Sequence, residues 1–374
     1  MLTPSYDPII GGTETVVKDL TMRLNRSGVR TDVMTFNMSR KWHPVWKWEV
    51  HQSEGHVVYR VPAINPFNVL NLIGDFLRSR VFTIPLFTGR LRKYDILHFH
   101  DDADLTFPLL CCFLKKPKIL HCHTLSVTFG SYWRRALSKK ILNKAADVYI
   151  VGSESRGSLL SKLGIEPERI RILPYGVDTH IFVPNEKDRQ SDLILFVGRW
   201  DRRKGLHILL ESLDHLEGPV NVAIIGPAYD DEYSRAISQL LKDKARSHNI
   251  LCLRDLARSE VVRWFQRASM LVCPSIDDHM PIVCVQALSC GTPVVASAIA
   301  GIRDIVSDGE DGILVPPNSP QKIASAIRFL LDNPKERGRL GNKGRLSAER
   351  RFSQDRNVKE LLVLYEGLVE EARK

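Results

Sequence analysis

The sequence predicts an α/β protein with two Rossmann-like, doubly wound domains, and three observations support this fold class. Short apolar runs alternate with helical patterns along the chain, which is typical of βαβ units and parallel sheets. The alternation runs through two successive sets of six strands, and 374 residues suffice for two hydrophobic cores. The composition, 44% hydrophobic and 26% charged, is that of a globular protein. A ligand is therefore expected at the carboxyl ends of the strands, in a cleft between the domains.

The predicted strands set the domain organisation. The first six cover residues 31–35, 57–61, 96–99, 118–121, 148–151 and 170–173. The second six cover residues 193–197, 221–225, 250–253, 270–273, 293–296 and 312–315. We expect a first domain over 1–180, a second over 181–352, and a C-terminal amphipathic helix over 353–374. The start of the chain reads as the end of a strand that leads into a glycine loop, so we expect the rest of that strand upstream of Met1.

Charge and cysteine content limit the partners and the compartment. The net charge is +10, and the excess lies in residues 1–180, with 25 basic and 16 acidic residues against 28 and 27 in the remainder. Such a surface favours anionic partners, or it is simply a solvated basic face. The seven cysteines are scattered in apolar runs, which favours reduced core thiols. We expect a cytoplasmic protein, with peripheral binding to the inner face of the membrane left open.

Two basic segments with aromatic or apolar residues suggest an anionic membrane surface as a partner. Residues 131–146 place apolar side chains about one turn apart among five basic ones, as an interfacial helix does. Residues 40–48 add three tryptophans beside basic residues. The alternative for the first segment is an ordinary surface helix that packs on the sheet. Nucleic-acid binding is not expected, because the chain contains no recognised module that interleaves aromatic and basic residues.

Basic and glycine-rich turns follow two of the predicted strands. Gly198-Arg199 follows the apolar run LILFV, and Lys204 lies five residues after the arginine. A guanidinium and an ammonium at a strand's carboxyl end can hold a diphosphate, although a solvated basic turn has the same composition. Gly11-Gly12 precedes a helical pattern, where backbone N–H groups can approach a phosphate, or where the chain simply turns.

These turns, together with the segment PSIDDHMPIVCVQALSCGTPVVA at 274–296, resemble the retaining glycosyltransferases of the GT-B class, group 1 or family 4 type. That family carries two acidic residues eight apart; here Asp278 matches the first, and Gln286 stands in place of the second, which grips the ribose. The resemblance implies a GT-B fold whose last helix crosses back to the first domain. It also implies that Arg199 and Lys204 stabilise the departing diphosphate and that Asp278 contacts the donor sugar. The nucleotide-sugar contacts implied are Gly11, Gly12, Gly198, Leu256, Met280, Pro281, Ile282 and Gln286.

Histidines end two neighbouring strands of the first half. His98 and His100 lie in ILHFHDD, and His121 and His123 lie in ILHCHT. The resemblance implies that His123 contacts the transferring sugar. The HxH pairs also suggest a metal, but because no third and fourth ligand appears at useful spacing we predict a structural role and no metal site.

The function predicted is transfer of a hexose from a UDP-sugar or GDP-sugar to a glycan or a lipid-linked acceptor, with no cofactor. The missing second acid keeps open a catalytically weak nucleotide-binding scaffold, and a sugar-nucleotide epimerase could use the same fold. No carboxylate pair of the glycosidase type can be identified, which argues against a two-acid hydrolase.

Overall fold

The computed structural model describes residues 1–6, 12–37, 45–62, 88–100, 113–123, 143–229 and 232–374. The chain forms two compact units. Unit 1 comprises Met1–Leu173 and Val358–Lys374, and unit 2 comprises Pro174–Asn357. The boundaries predicted from the sequence, at 180/181 and 352/353, stay predictions.

Unit 1 is built on a sheet with strand order β3-β4-β2-β1-β5-β6-β7-β8, and among the described strands β3 and β4 pair antiparallel while the other neighbours are parallel. Its strands are β1 Leu2–Thr3, β2 Val33–Phe36, β3 Glu49–Ser53, β4 His56–Val61, β5 Leu97–His100, β6 Lys118–Cys122, β7 Val148–Val151 and β8 Ile170–Ile172. The helices in the described part of this unit are α1 Gly12–Arg26, α2 Thr88–Leu91 and α3 Glu154–Lys162. The strand order changes direction between β1 and β5, so the carboxyl ends of these two strands mark the switch point of the sheet, where ligands of such folds bind.

Unit 2 is built on a parallel sheet with strand order β11-β10-β9-β12-β13-β14. Its strands are β9 Leu193–Val197, β10 Asn221–Ile225, β11 Asn249–Leu253, β12 Met270–Cys273, β13 Val294–Ser297 and β14 Gly312–Val315. Its helices are α4 Leu206–Ser212, α5 Glu232–Lys244, α6 Arg258–Arg267, α7 Ile282–Ser289, α8 Ala300–Arg303, α9 Pro320–Asp332 and α10 Pro334–Arg351. Here the switch point lies between β9 and β12.

The central strands are buried because both faces of each sheet are covered. Strands β12 and β13 are buried along their whole length, which explains why they read as continuous apolar runs rather than as alternating patterns. In unit 2 one core contains Leu195, Leu271 and Val294, while the other contains Ile194, Val272 and Val295. Neighbouring residues of a strand thus enter opposite cores, as the two-residue period of a strand requires.

The last helix, α11 Gln354–Arg373, belongs to both units. From Val358 onward it packs in unit 1, where Leu361, Tyr365 and Leu368 join a core with Ile119 and Ile150 of the sheet. The spacing of four and three residues places these side chains on one helix face. The amphipathic helix predicted at the C-terminus and its return to the first domain are confirmed.

The predicted strands correspond to strands of the structure, with ends that differ by at most two residues. The antiparallel strand β3, Glu49–Ser53, was not predicted, because EVHQS carries no apolar run and its middle three residues are exposed at the sheet edge. Among the described residues, no helix combines the length and the apolar character that a membrane span requires.

Candidate functional site

The basic turn after β9 begins at Gly198 and ends at Gly205. Gly198 donates its backbone N–H to Ile225 O at 2.9 Å, which ties the turn to the neighbouring strand β10. A single 3-10 turn, Arg202–Lys204, follows and ends at Gly205, whose φ of +71° is the left-handed conformation that favours glycine. The turn therefore gives Lys204 a defined position beside the carboxyl end of β9.

Asp201 organises this turn, and the sequence reasoning missed it. Its Oδ1 accepts hydrogen bonds from the backbone N–H groups of Arg203 at 3.0 Å and Lys204 at 3.2 Å. Its Oδ2 lies 3.2 Å from the Arg199 guanidinium. One carboxylate thus caps the turn and orients the predicted diphosphate ligand Arg199. An aspartate three residues before the end of a basic turn is a recognisable capping signal.

Lys204 and Asp278, 74 positions apart in the chain, form an ion pair. Lys204 Nζ donates to Asp278 Oδ2 at 2.5 Å, and the two side chains are 25% and 14% exposed. Burial, the largest single effect, acts to lower the pKa of Lys204. The charge and the hydrogen bond of Asp278, together with Cys273 and Asp201, outweigh burial, so the pKa is raised. Lys204 is therefore a cation at neutral pH, and the structure brings two predicted catalytic side chains into direct contact at the switch point of unit 2.

The loop after β12 carries Asp278 and is held by backbone contacts on two sides. Ile276 N–H donates to Arg203 O at 2.7 Å, which joins this loop to the basic turn. Gly301, in α8, lies against the carbonyl groups of Asp278 and His279 so closely that a Cβ would be 2.5 Å from the His279 carbonyl carbon. The position of Asp278 therefore depends on the absence of a side chain at Gly301 in α8.

Most of the other residues predicted to contact the nucleotide-sugar lie in and around the N-terminal end of α7. Met280 is buried and its Sδ accepts a hydrogen bond from Tyr175 N–H at 3.3 Å. Pro281 precedes the helix and Ile282 begins it. Gln286 lies one turn further along the same helix and is partly buried, and Leu256 packs against the same core as α7. These roles in nucleotide-sugar binding stay predictions.

The glycine loop of unit 1 is described only in part. Gly11 lies outside the described residues, while Gly12 begins α1. Ser5 donates its hydroxyl to the Glu14 carboxylate in the first turn of α1, and both side chains are buried. This hydrogen bond ties the segment after β1 to the start of the helix, next to the switch point of the sheet.

His123 lies directly after β6, 7% exposed, with its Nε2 3.2 Å from His100 Nδ1. Burial lowers the pKa of His123 well below its ordinary value, so the ring is neutral at physiological pH. The prediction against a metal site is based on the lack of a third and fourth ligand at useful spacing in the sequence. In the structure, ligand nitrogens of three histidines, His98, His100 and His121, lie within 4.8 Å of one another.

The comparisons with known proteins agree with this architecture. The family model described as glycosyl transferases group 1 matches residues 177–347, and the model described as glycosyltransferase family 4 matches residues 10–181. A D-inositol 3-phosphate glycosyltransferase from Xylanimonas cellulosilytica is 26% identical over 386 aligned positions, which cover 95% of this chain and 91% of that protein.

Solved structures match over nearly the full length. Sucrose-phosphate synthase from Thermosynechococcus elongatus superposes with a TM-score of 0.80 at 22% identity, covering 99% of each chain. Anabaena Alr3699/HepE, solved in complex with UDP, superposes with a TM-score of 0.77 at 18% identity, covering 98% of each chain. The fold is that of the GT-B glycosyltransferases. The chain itself belongs to the group 1 glycosyltransferases and is a glycosyl-transferring enzyme.

Proposed function

We propose that the protein is a retaining glycosyltransferase that moves a hexose from a nucleotide diphosphate sugar to a glycan or lipid-linked acceptor. The observation that carries the proposal is the Lys204–Asp278 ion pair at the switch point of unit 2, with Arg199 held beside the same turn by Asp201. A cation and a carboxylate at the carboxyl ends of adjacent parallel strands are suited to a ligand that carries both phosphates and hydroxyls.

The proposed chemistry depends on leaving-group stabilisation. The bond from the anomeric carbon to the diphosphate breaks while the acceptor oxygen forms its bond on the same face, and the acceptor proton passes to the departing phosphate. Lys204 and Arg199 would stabilise the charge that develops on the diphosphate, and Asp278 would orient the sugar through its hydroxyls. In unit 1, neutral His123 would contact the transferring sugar and help to position the anomeric carbon.

A donor panel tests this proposal. UDP is the first nucleotide to examine, because the HepE structure contains it, and GDP is the alternative. A thermal-shift screen with UDP, GDP and their common sugars should identify the base, since a ligand at 100 times its dissociation constant adds about 2.7 kcal/mol of stability. Product formation from the stabilising donor would support the enzyme, whereas stabilisation without turnover of any donor and acceptor would favour the scaffold alternative.

The amide of Gln286 is expected to bind the nucleotide-sugar more weakly than a carboxylate would, and replacing Gln286 tests the ribose contact. In Gln286→Glu we expect nucleotide binding to tighten about fivefold, because a charged acceptor for a hydroxyl pair strengthens a hydrogen bond by about 1 kcal/mol. Titration calorimetry with the nucleotide measures this. Gln321→Glu, which adds the same charge at an exposed position of unit 2, is the matched control and should leave affinity unchanged. Unchanged or weaker binding in Gln286→Glu would contradict the ribose contact.

Docking on an anionic membrane is a separate part of the proposal. Most of the segments at 40–48 and 131–146 lies outside the described residues; within the described part Trp46 is 54% exposed, whereas Trp48 packs on the core with the Arg90 guanidinium 5.3 Å from its ring. We expect co-sedimentation with anionic but not neutral vesicles at low salt, weakened in Trp46→Ala and retained in Tyr229→Ala, an exposed aromatic of unit 2. Equal binding to both vesicle types, or none, would favour a soluble acceptor.

A further inference from the structure

Four histidines of unit 1 form one buried cluster because of the register between β5 and β6. His98 and His100 are two residues apart on β5, and His100 pairs with His121 of the neighbouring strand β6. Residues two apart on a strand face the same side, so His98 and His100 lie on one face of the sheet, together with the paired His121. His123, directly after β6, stacks on His121. Their ring centroids are 4.3 Å apart for His98–His100, 5.3 Å for His100–His121 and 4.5 Å for His121–His123.

The four side chains of this histidine cluster are 7% exposed or less, and such burial favours the neutral form of the rings. Burial lowers the pKa of His121 to about 3, and it lowers the pKa values of His98, His100 and His123 well below their ordinary value. A neutral imidazole has one unprotonated nitrogen, and this is the form that binds a metal ion. The cluster therefore presents several such nitrogens in a space from which water is largely removed.

Three of these side chains meet the distance requirement for a shared ion. One ligand nitrogen from each of His98, His100 and His121 lies within 4.8 Å of the other two. Two nitrogens bound to one tetrahedral Zn²⁺ lie about 3.4 Å apart, given Zn–N bonds of about 2.0–2.1 Å. Binding would require the three rings, whose planes are inclined by 23° for His98–His100 and 32° for His100–His121, to turn so that their nitrogens point at one ion.

His98 also has the hydrogen bonding of a metal ligand. Its Nδ1 lies 2.7 Å from the Tyr365 hydroxyl of α11, and its Nε2 is buried without a hydrogen-bond partner among the described residues. A histidine that binds a metal through one nitrogen usually donates a hydrogen bond from the other, which fixes its tautomer. The Met1 thioether sulfur, 3.1 Å from His100 Nε2, adds a soft group to the same surroundings.

We propose that His98, His100 and His121 bind a transition-metal ion of borderline softness, represented by Zn²⁺, which links β5 to β6 in unit 1. Imidazole ligands suit Zn²⁺, Cu²⁺ and Ni²⁺, whereas Mg²⁺ and Ca²⁺ prefer oxygen ligands. This inference concerns metal binding by unit 1 and does not depend on the glycosyl transfer proposed above.

Equilibrium dialysis of the full chain, treated beforehand with a chelator, tests the site with Zn²⁺ and with Mg²⁺ as the comparison. We expect one tightly bound Zn²⁺ per chain, no Mg²⁺ binding, and a Zn²⁺ affinity at least tenfold lower in His98→Gln and His121→Gln. Tyr365→Phe should weaken binding about 10-fold, because loss of an orienting hydrogen bond typically costs 10- to 100-fold. His51→Gln, an exposed histidine of the same unit, is the matched control and should bind Zn²⁺ as the unmodified chain does.

Electron paramagnetic resonance of the unmodified chain with bound Cu²⁺ tests the site even if a histidine variant does not fold. In the unmodified chain loaded with one equivalent of Cu²⁺, electron paramagnetic resonance should show coupling to several nitrogen nuclei. Absence of Zn²⁺ binding, unchanged binding in both His98→Gln and His121→Gln, or a Cu²⁺ spectrum without nitrogen coupling would overturn the proposal.

Discussion

Replacing Lys204 with alanine is expected to lower turnover about 100-fold or more while the protein remains folded. The Lys204 ammonium group is ion-paired with Asp278, and in the proposed mechanism it stabilises the charge that develops on the departing diphosphate. Loss of one such electrostatic contact typically costs about 100- to 1,000-fold in rate. Steady-state kinetics with the donor found by the nucleotide screen measure the effect. Arg199→Ala should act in the same direction.

A second lysine of unit 2 supplies the control. Lys244 pairs with Asp214 at 2.5 Å, so Lys244→Ala also removes an ion-paired lysine, but at the end of α5 rather than at the switch point. We expect its turnover to match that of the unmodified enzyme. Unchanged turnover in folded Lys204→Ala and Arg199→Ala would contradict the donor site, and an equal loss in Lys244→Ala would indicate a general effect on the unit.

The second large effect is expected at Gly301. A Cβ at this position would overlap the carbonyl oxygens of Asp278 and His279, both of which belong to the backbone and cannot turn away as a flexible side chain can. Overpacking of a buried site costs about 1–3 kcal/mol and occasionally more, so we expect Gly301→Ala to lower the free energy of unfolding by about 3 kcal/mol. Because the loop must move, Asp278 should also lose its pairing with Lys204, and turnover should fall. Urea unfolding and kinetics on the same sample measure both.

Gly338→Ala is the matched control for this change. Gly338 lies in α10, and a Cβ there would meet nothing within 4 Å. Alanine is favoured over glycine inside a helix by up to about 1 kcal/mol, so this variant should be equally or more stable and fully active. A Gly301→Ala protein as stable and active as Gly338→Ala would show that the Asp278 loop tolerates displacement.

Much of the fold could be predicted from local patterns. The apolar run LILFV at 193–197 predicts a buried strand of a parallel sheet, because a strand that is covered on both faces needs apolar side chains at every position. The residue types of the basic turn after that run allow a diphosphate site, but its assignment and that of the segment around Asp278 depend on the resemblance to the GT-B family. The short strand Leu2–Thr3 and the edge strand Glu49–Ser53 carry weaker signals, the first because it has two residues and the second because it is polar.

By itself the sequence determined the α/β class and the positions of the strands other than β3, because apolar runs and their spacing report burial along the chain. It also contains the residue types at the carboxyl ends of those strands. Only the tertiary structure decided which strand ends are neighbours. Lys204 meets Asp278 because β12 adds beside β9 instead of beside β11, and the two HxH motifs form one cluster because β5 and β6 pair with His100 opposite His121. Strand order and register arise from packing between residues distant in the chain, so no local pattern contains them.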